Sequence, residues 1–404
     1  MHIGGVDFPW ALIEAQRDDK LVIFVGAGAS RSSPSDLPDF RLLARSIAAD
    51  SGVTATDEQL NNPDVLLGDL EDQHAVNVHQ RVADRIGPNS SQPNRLHTAI
   101  AALAAASPQI RIVTTNYDPH LSAALTALGN SFTEEVGPAL PLGDDFSGIV
   151  YLHGRLGRPV KQLVVTDADF GQAYLRDAWA TRFLERMFSR YTVLFIGYSH
   201  SDVVVSYLSR GLRANNARFV LTDEPDSLRW RRLRITPVAY PNPDGSHRAI
   251  AEAIEGWASW ASMGLMEHRR QVSRLVATAP SQIPEDMSYL EAVIADKSTV
   301  GFFVEHARGP EWLSWAATQA EFQSLFKPIT GDSDGTPRLA SWFAENYVME
   351  EGLSDQAWAL ASGAGGVLGP DLWNAIGLCW PLAAWARSVN SAASPTKATL
   401  WQPQ

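Results

Sequence analysis

Short, nearly uninterrupted apolar runs alternate with helix-period segments over the first two-thirds of the chain. LVIFVG (21–26), IRIVTTN (110–116), GIVYLHG (148–154), QLVVT (162–166), TVLFIGY (192–198), RFVLT (218–222) and RITPVAY (234–240) read as strands. Several are nearly continuous Val, Ile, Leu and Phe, as expected of strands covered on both faces, the habit of parallel sheets. Between them, residues 96–106, 180–190, 201–212 and 246–262 carry a helical period. Ser201 and Asp202 form an N-cap pair for the third of these. The alternation predicts an α/β domain over residues 1–270, a doubly wound, Rossmann-like parallel sheet. Residues 52–94 are polar and helix-prone with no strand. They read as a helical insertion over the carboxyl edge of the sheet.

After residue 270 the pattern changes and no strand-like run remains. Trp312, Trp315, Trp342, Trp358, Trp373, Trp380 and Trp385 recur in short amphipathic segments punctuated by Gly and Pro. Residues 271–404 are therefore expected to be all-α, a solenoid-like array or a platform for oligomerisation or sensor docking. The tryptophans read as core or interface residues, not as a ligand box. The polar ending SPTKATLWQPQ suggests a short member of a family or a piece of something longer.

Composition narrows the classes. With 404 residues, 45% hydrophobic and 19% charged, the chain can bury a sizeable core. A formal net charge of −12 lacks the broad basic footprint of a nucleic-acid binder, which argues against nucleic acid as a direct substrate. The run LRWRRLR (228–234) reads first as a solvated face, with contact to an acidic partner or nucleic acid as the minor alternative. One cysteine, Cys379, permits neither an internal disulfide nor a cysteine-based zinc site, and His74 and His79 do not share a helix face, so no metal is expected. The amino terminus lacks a signal-peptide pattern, and no apolar stretch would span a bilayer. A soluble cytoplasmic protein without membrane contact is the expectation.

The chemistry gathers at the strand ends. Gly26-Ala27-Gly28-Ala29-Ser30 follows the first strand, where glycines permit a tight turn and close approach to a pyrophosphate. The same sequence also suits a turn that merely packs. Thr114, Thr115, Asn116 and Asp118 follow the second strand, His153 and Gly154 the third, and Gly197, Tyr198, Ser199 and Asp202 a later one. In an open α/β sheet all of these face the crevice outside the strands' carboxyl ends.

Together these pieces resemble the sirtuin-like family. Its successive motifs are matched by Gly26-Ala27-Gly28-Ala29-Ser30, Pro38-Asp39-Phe40-Arg41, Thr114-Thr115-Asn116-Tyr117-Asp118, His153-Gly154 and Gly197-Tyr198-Ser199. The resemblance covers roughly residues 15–265 and not the Trp-rich tail. Two departures matter: the loop between Ser30 and Pro38 is about two residues longer, and the four-cysteine zinc module of the protein deacylases has no counterpart in a chain with one cysteine. The pattern is closer to the zinc-less bacterial sirtuin-like proteins of phage defence, which hydrolyse NAD+.

The resemblance implies NAD+ as substrate, with Asn116, His153 and Asp118 catalytic. Asn116 would hold the ribose or the attacking water. His153 would take a proton, a task suited to a pKa near neutrality. Asp118 would bind the nicotinamide carboxamide or orient a neighbour. Gly26, Ala27, Gly28, Ser30, Asp39, Phe40, Arg41, Thr114, Thr115, Gly197, Tyr198 and Ser199 would line the dinucleotide, with Thr222 and Asp223 at its adenosine end. A regulated anti-phage NADase, acting by NAD depletion as a homo-oligomer or with a sensor or ATPase-type partner, is the implied function. An NAD-dependent transferase (deacylase or ADP-ribosyltransferase) and a non-catalytic NAD or ADP-ribose sensor are the alternatives.

Overall fold

The computed structural model describes residues 1–87, 90–198, 217–327, 336–350, 352–363 and 367–379. The helix expected over 201–212, with Ser199 and Asp202, lies outside the described residues, as do Trp380 and Trp385. Two compact units divide the chain, His2–Ser262 and Met263–Gln404 with Met1.

The first unit is built on seven strands: β1 Leu21–Val25, β2 Arg111–Thr114, β3 Glu134–Val136, β4 Gly148–Tyr151, β5 Thr192–Ile196, β6 Arg218–Thr222 and β7 Thr236–Ala239. They lie in the order β3-β4-β2-β1-β5-β6-β7, and every pairing is parallel. β2, β3 and β4 lie on one side of β1, with β4 inserted between β2 and the edge strand β3, and the chain crosses to the other side at β5. That reversal is the topological switch point at which open sheets bind ligands. Val22, Phe24, Val113, Val150, Val193, Phe195 and Val220 share one core with Phe183, Met187 and Phe188 of the helix Trp179–Arg190. The alternate residues Leu21, Ile23 and Val25 are buried as well and point to the opposite face. There the helix Trp10–Arg17 packs on β1 and β5. Burial on both faces is why these strands read as continuous apolar runs.

QLVVT is not a strand. Residues Val160–Gln162 form a 3₁₀ turn, and the run continues as a coil that leads into a short helix, Asp167–Gly171. Its apolar side chains Leu163, Val164 and Val165 are buried as expected. Its backbone groups pair outside any ladder: the Val164 N–H donates to the His153 carbonyl at 2.9 Å, those of Val165 and Thr166 to the Asp169 carboxylate at 3.0 and 2.9 Å, and the Val164 carbonyl accepts from the Tyr117 hydroxyl at 2.6 Å. The sheet edge is instead β3, the half-buried and acidic Glu-Glu-Val, which carries no apolar run to announce it.

The segment expected to be a helical insertion contains α1 Asp57–Leu60, α2 Pro63–His74 and α3 Val78–Ile86. Leu66, Leu67, Leu70, Val78 and Val82 form a core with Leu43, Ile47, Tyr117, Leu163 and Val165. The next helix, α4 Arg95–Ala105, packs against α5 Arg248–Ser262, and Arg95 Nε donates to Glu255 at 2.7 Å.

The second unit is helical among its described residues, with helices at Leu265–Val276, Met287–Ala295, Val300–His306, Pro310–Ala316, Thr336–Phe343 and Ser354–Gly363. Trp312 and Trp342 are buried in its core with Phe303, Phe322 and Phe343. Their indole N–H groups donate to the carbonyls of Val276 and Ala307 at 3.1 and 2.9 Å. A buried indole with its donor satisfied is a packing residue. No described helix is long and apolar enough to cross a membrane.

Candidate active site at the strand tips

Strand register brings the motifs together. Val25 lies opposite Thr114 and Ile196, and Thr114 lies opposite Tyr151. Asn116 and His153 therefore follow at the same offset beyond paired residues of adjacent strands. The turn beginning at Gly26 leaves the neighbouring strand at the same edge.

That turn interlocks with the end of β5. Gly28 N–H donates to the Gly197 carbonyl at 2.8 Å. A Cβ at Gly28 would stand 2.7 Å from that oxygen and 2.9 Å from Gly197 Cα, both backbone atoms. Only glycine allows the two loops this close. The glycines thus bring two chain segments together at the switch point, and Gly28 spends its N–H there. The residues after Gly26 form a 3₁₀ turn, Ala27–Ser30, and the next α-helix begins only at Phe40, capped by Asp39, whose carboxylate accepts from Leu42 N–H at 2.8 Å.

Ser30 is the hub. Its hydroxyl donates to Asp118 Oδ2 at 2.9 Å and accepts from Asn116 Nδ2 at 3.2 Å. His97 Nε2 lies 3.1 Å away. Asp118 Oδ1 accepts from the His120 N–H at 3.1 Å, so both its oxygens are engaged, and it orients Ser30. Thr114 fixes the backbone beneath: its hydroxyl donates to the Val25 carbonyl at 2.9 Å and accepts from Asn116 N–H at 3.0 Å. Asn116 is 7% exposed. Its Nδ2 faces Ser30, while its Oδ1 is buried and has no hydrogen-bond partner among the described residues. Buried polar atoms are nearly always paired, so this acceptor marks a place for a water or a ligand group to donate.

His153 is 4% exposed. Its Nε2 lies 2.7 Å from the Tyr174 hydroxyl, and its ring meets Phe170 edge-on at 5.1 Å. Phe170 also contacts Phe40 at 6.2 Å. Tyr174 stands in a π-helical turn, Gln172–Arg176, a geometry that recurs at functional sites. Burial pushes the imidazole down to about 3, so His153 is neutral at physiological pH and much less basic than its strand-end position alone suggests.

The other expected residues are distributed as follows. The Thr115 hydroxyl meets that of Tyr198 at 3.2 Å. Tyr198 packs edge-on against Phe24 and Phe195. Asp39 is paired with Arg31. Arg41 turns to the insertion, donating to Asn61 and Asp57 at 3.0 Å each. The Thr222 hydroxyl accepts from Glu224 N–H at 3.0 Å, and Asp223 accepts from Asn242 at 2.7 Å. Among the described residues no group of three His, Cys, Asp or Glu side chains could hold a metal ion.

Sequence reasoning passed over Asn94, His97, His120, Phe170 and Tyr174. Asn94 N-caps α4, and its amide holds the carbonyls of Ala29 and Ser32 at 2.8 and 3.2 Å. Asn94-x-x-His97 has the spacing of a capping box, the one pattern that could have pointed to His97. Phe170 and Tyr174 carry no comparable signal.

Burial of His97 lowers its pKa to about 4, with the nearby His120 adding to the effect and Asp118 opposing it. Both buried imidazoles titrate well below their ordinary 6.5. Their contribution to stability is present above about pH 6.5 and is lost as pH falls, because the unfolded chain takes up the protons first. By about pH 5 each costs about 2 kcal/mol. His79 works in the opposite sense, raised mainly by its hydrogen bond to Asp169. The expected result is a melting temperature that falls between pH 7 and pH 5, with a shallower slope in His97→Gln, measured by differential scanning fluorimetry.

Part of the sheet-bearing unit is similar to a known class of domain. A family model described as a SIR2-like domain matches residues 110–237, from just before β2 into β7, and so supports a sirtuin-like family for that stretch. Two solved structures are also similar to this chain at low identity. One is from a study of the mechanism and regulation of Sir2 enzymes, with 14% identity, 63% of this chain and 96% of that chain covered, and a TM-score of 0.35. The other is a Sir2 homologue in complex with NAD, with 15% identity, 65% and 96% covered, and a TM-score of 0.34. The chain is also 25% identical over 383 residues to "Uncharacterized protein y4cA" of Sinorhizobium fredii (strain NBRC 101917 / NGR234), a match covering 86% of this chain and 31% of the relative. The chain thus spans about a third of the length of that curated relative.

Proposed function

We propose that this chain is an NAD+ glycohydrolase that cleaves NAD+ to nicotinamide and ADP-ribose. In that reaction the electron pair of the glycosidic C–N bond returns to the pyridinium nitrogen, and nicotinamide leaves neutral. A water oxygen bonds to the anomeric carbon, and the water gives up a proton. The transition state is oxocarbenium-like, so positioning and electrostatics are what the protein must supply.

The observation that carries the reading is the buried, unpartnered Oδ1 of Asn116. It is an acceptor held in one orientation, and it fits a ribose hydroxyl or the attacking water. His153, neutral in this environment, is assigned the proton, once Tyr174 yields its hydrogen bond to Nε2. Asp118 and Ser30 set the Asn116 amide. Gly26 to Gly28, Thr115, Tyr198 and Ser199 are assigned to the ribose and phosphates, and Thr222 and Asp223 to the adenosine end. Phe40 supplies part of the wall beside Phe170. Asp39 and Arg41, engaged with other side chains, keep a role only if those pairs rearrange.

Hydrolysis is preferred over deacylation because one cysteine cannot rebuild the zinc module that shapes an acyl-lysine groove. A role in anti-phage defence by NAD depletion, with the helical unit serving assembly or a sensor partner, rests on the resemblance to zinc-less defence proteins. The deciding experiment is product analysis with purified full-length protein and NAD+. Equal amounts of free nicotinamide and ADP-ribose support hydrolysis. ADP-ribose attached to a macromolecule supports transfer, and NAD+ bound but unchanged supports a sensor.

A further inference from the structure

We infer that His97 is a positioning residue for Asn116, acting through the hydroxyl of Ser30; the inference rests on the hydrolase reading for its kinetic consequence but not for its geometry. The proton arrangement follows from the contacts. The Asn94 backbone N–H, which can only donate, lies 3.1 Å from His97 Nδ1. That nitrogen must accept, so the proton of the neutral ring sits on Nε2. Nε2–H then donates to Ser30 Oγ at 3.1 Å. Ser30 Oγ accepts a second time from Asn116 Nδ2 and donates its only proton to Asp118. One donation and two acceptances saturate a hydroxyl.

The saturation fixes which end of the Asn116 amide faces inward. With His97 and Asp118 in place, the Ser30 proton points at Asp118 and only a donor can approach its lone pair. Nδ2 turns to Ser30, and Oδ1 is presented as an acceptor. Removing His97 frees a lone pair and lets the hydroxyl rotate toward Asn116. The amide can then flip and present Nδ2 instead, a donor where the proposed chemistry needs an acceptor. His97 is fully buried. The groups facing it are Ser30, Asn94, Asp118 and the ring of His120 at 5.2 Å. Asn94 ties the His97 helix to the turn that carries Ser30, so the relay is anchored at both ends.

The test compares His97→Gln with His97→Leu in full-length protein. Glutamine is a natural partner in a capping box; its carbonyl can accept from Asn94 N–H while its amide donates to Ser30. Leucine does neither. The expected result is a roughly 10–100-fold fall in kcat for His97→Leu with KM little changed, largely restored in His97→Gln, both variants folded by circular dichroism. A purely structural histidine would alter melting temperature and leave kcat alone; that result, or a glutamine variant no better than leucine, overturns the inference. If wild type releases no nicotinamide, the hydrolase reading fails and nuclear magnetic resonance decides this one. A neutral Nε2–H tautomer at His97, with Asn116 amide protons protected from exchange in wild type and exposed in His97→Leu, sustains it. An Nδ1–H tautomer or unchanged protection overturns it.

Discussion

Asn116→Ala is expected to abolish nicotinamide release while leaving the protein at least as well folded. The expected fall in kcat is on the order of 10²–10³-fold, the usual cost of removing one preorganised group aimed at the reacting centre. The stability side is what makes the result diagnostic. Alanine loses the hydrogen bond from Nδ2 to Ser30 at 3.2 Å, a net contribution of about 1 kcal/mol. It also removes the buried and unpartnered Oδ1, whose desolvation costs about 1–3 kcal/mol. The two roughly offset, so the melting temperature should stay within a few degrees of wild type or rise. A core asparagine kept only for packing would show the reverse: a lower melting temperature with turnover intact. Paired thermal denaturation and product chromatography separate the two.

The second large effect is expected at His153. His153→Ala should reduce turnover by about 10²-fold, the low end of the range for loss of a general base, because burial leaves the imidazole weakly basic. Here the stability cost is real, because the imidazole fills space between Phe170 and Tyr174. His153→Gln is the companion variant: it can keep a hydrogen bond to the Tyr174 hydroxyl, now 2.7 Å from Nε2, without offering a base. If the glutamine variant folds like wild type and turns over like it, His153 does no proton transfer. If both variants are silent and the glutamine protein melts normally, the assignment stands.

How much of this was legible in the order of amino acids depends on which force sets each feature. Continuous apolar runs such as Leu21–Val25 and Thr192–Ile196 reported burial on both faces, and burial on both faces is what a parallel sheet imposes. The same signal misled at QLVVT, where Leu163, Val164 and Val165 are buried without a ladder. Hydrophobicity reports burial, not the partner of each N–H. The edge strand Glu134–Val136 was invisible because its half-buried residues give no apolar signature.

In the site, Ser30, Asn116 and Asp118 do meet. Their convergence was readable because it follows from strand order alone. His97 was not, since its role depends on where a helix amino terminus docks across a gap of 67 residues from Ser30, a tertiary fact. The depressed basicity of His153 likewise comes from Phe170 and Tyr174 closing over it. No property of the His-Gly dipeptide encodes that.

The pairing of Thr114 with Tyr151 has an evolutionary consequence. A slide of β4 past β2 by one side-chain repeat keeps the same faces buried, yet displaces the imidazole from the amide by roughly 7 Å. Hydrophobic selection alone tolerates such a slide; chemistry does not. On the hydrolase reading, substitutions at the fully buried Val113 or Val150 that shift this register should cost turnover along with some stability, so selection on the reaction reaches the packing beneath the polar residues.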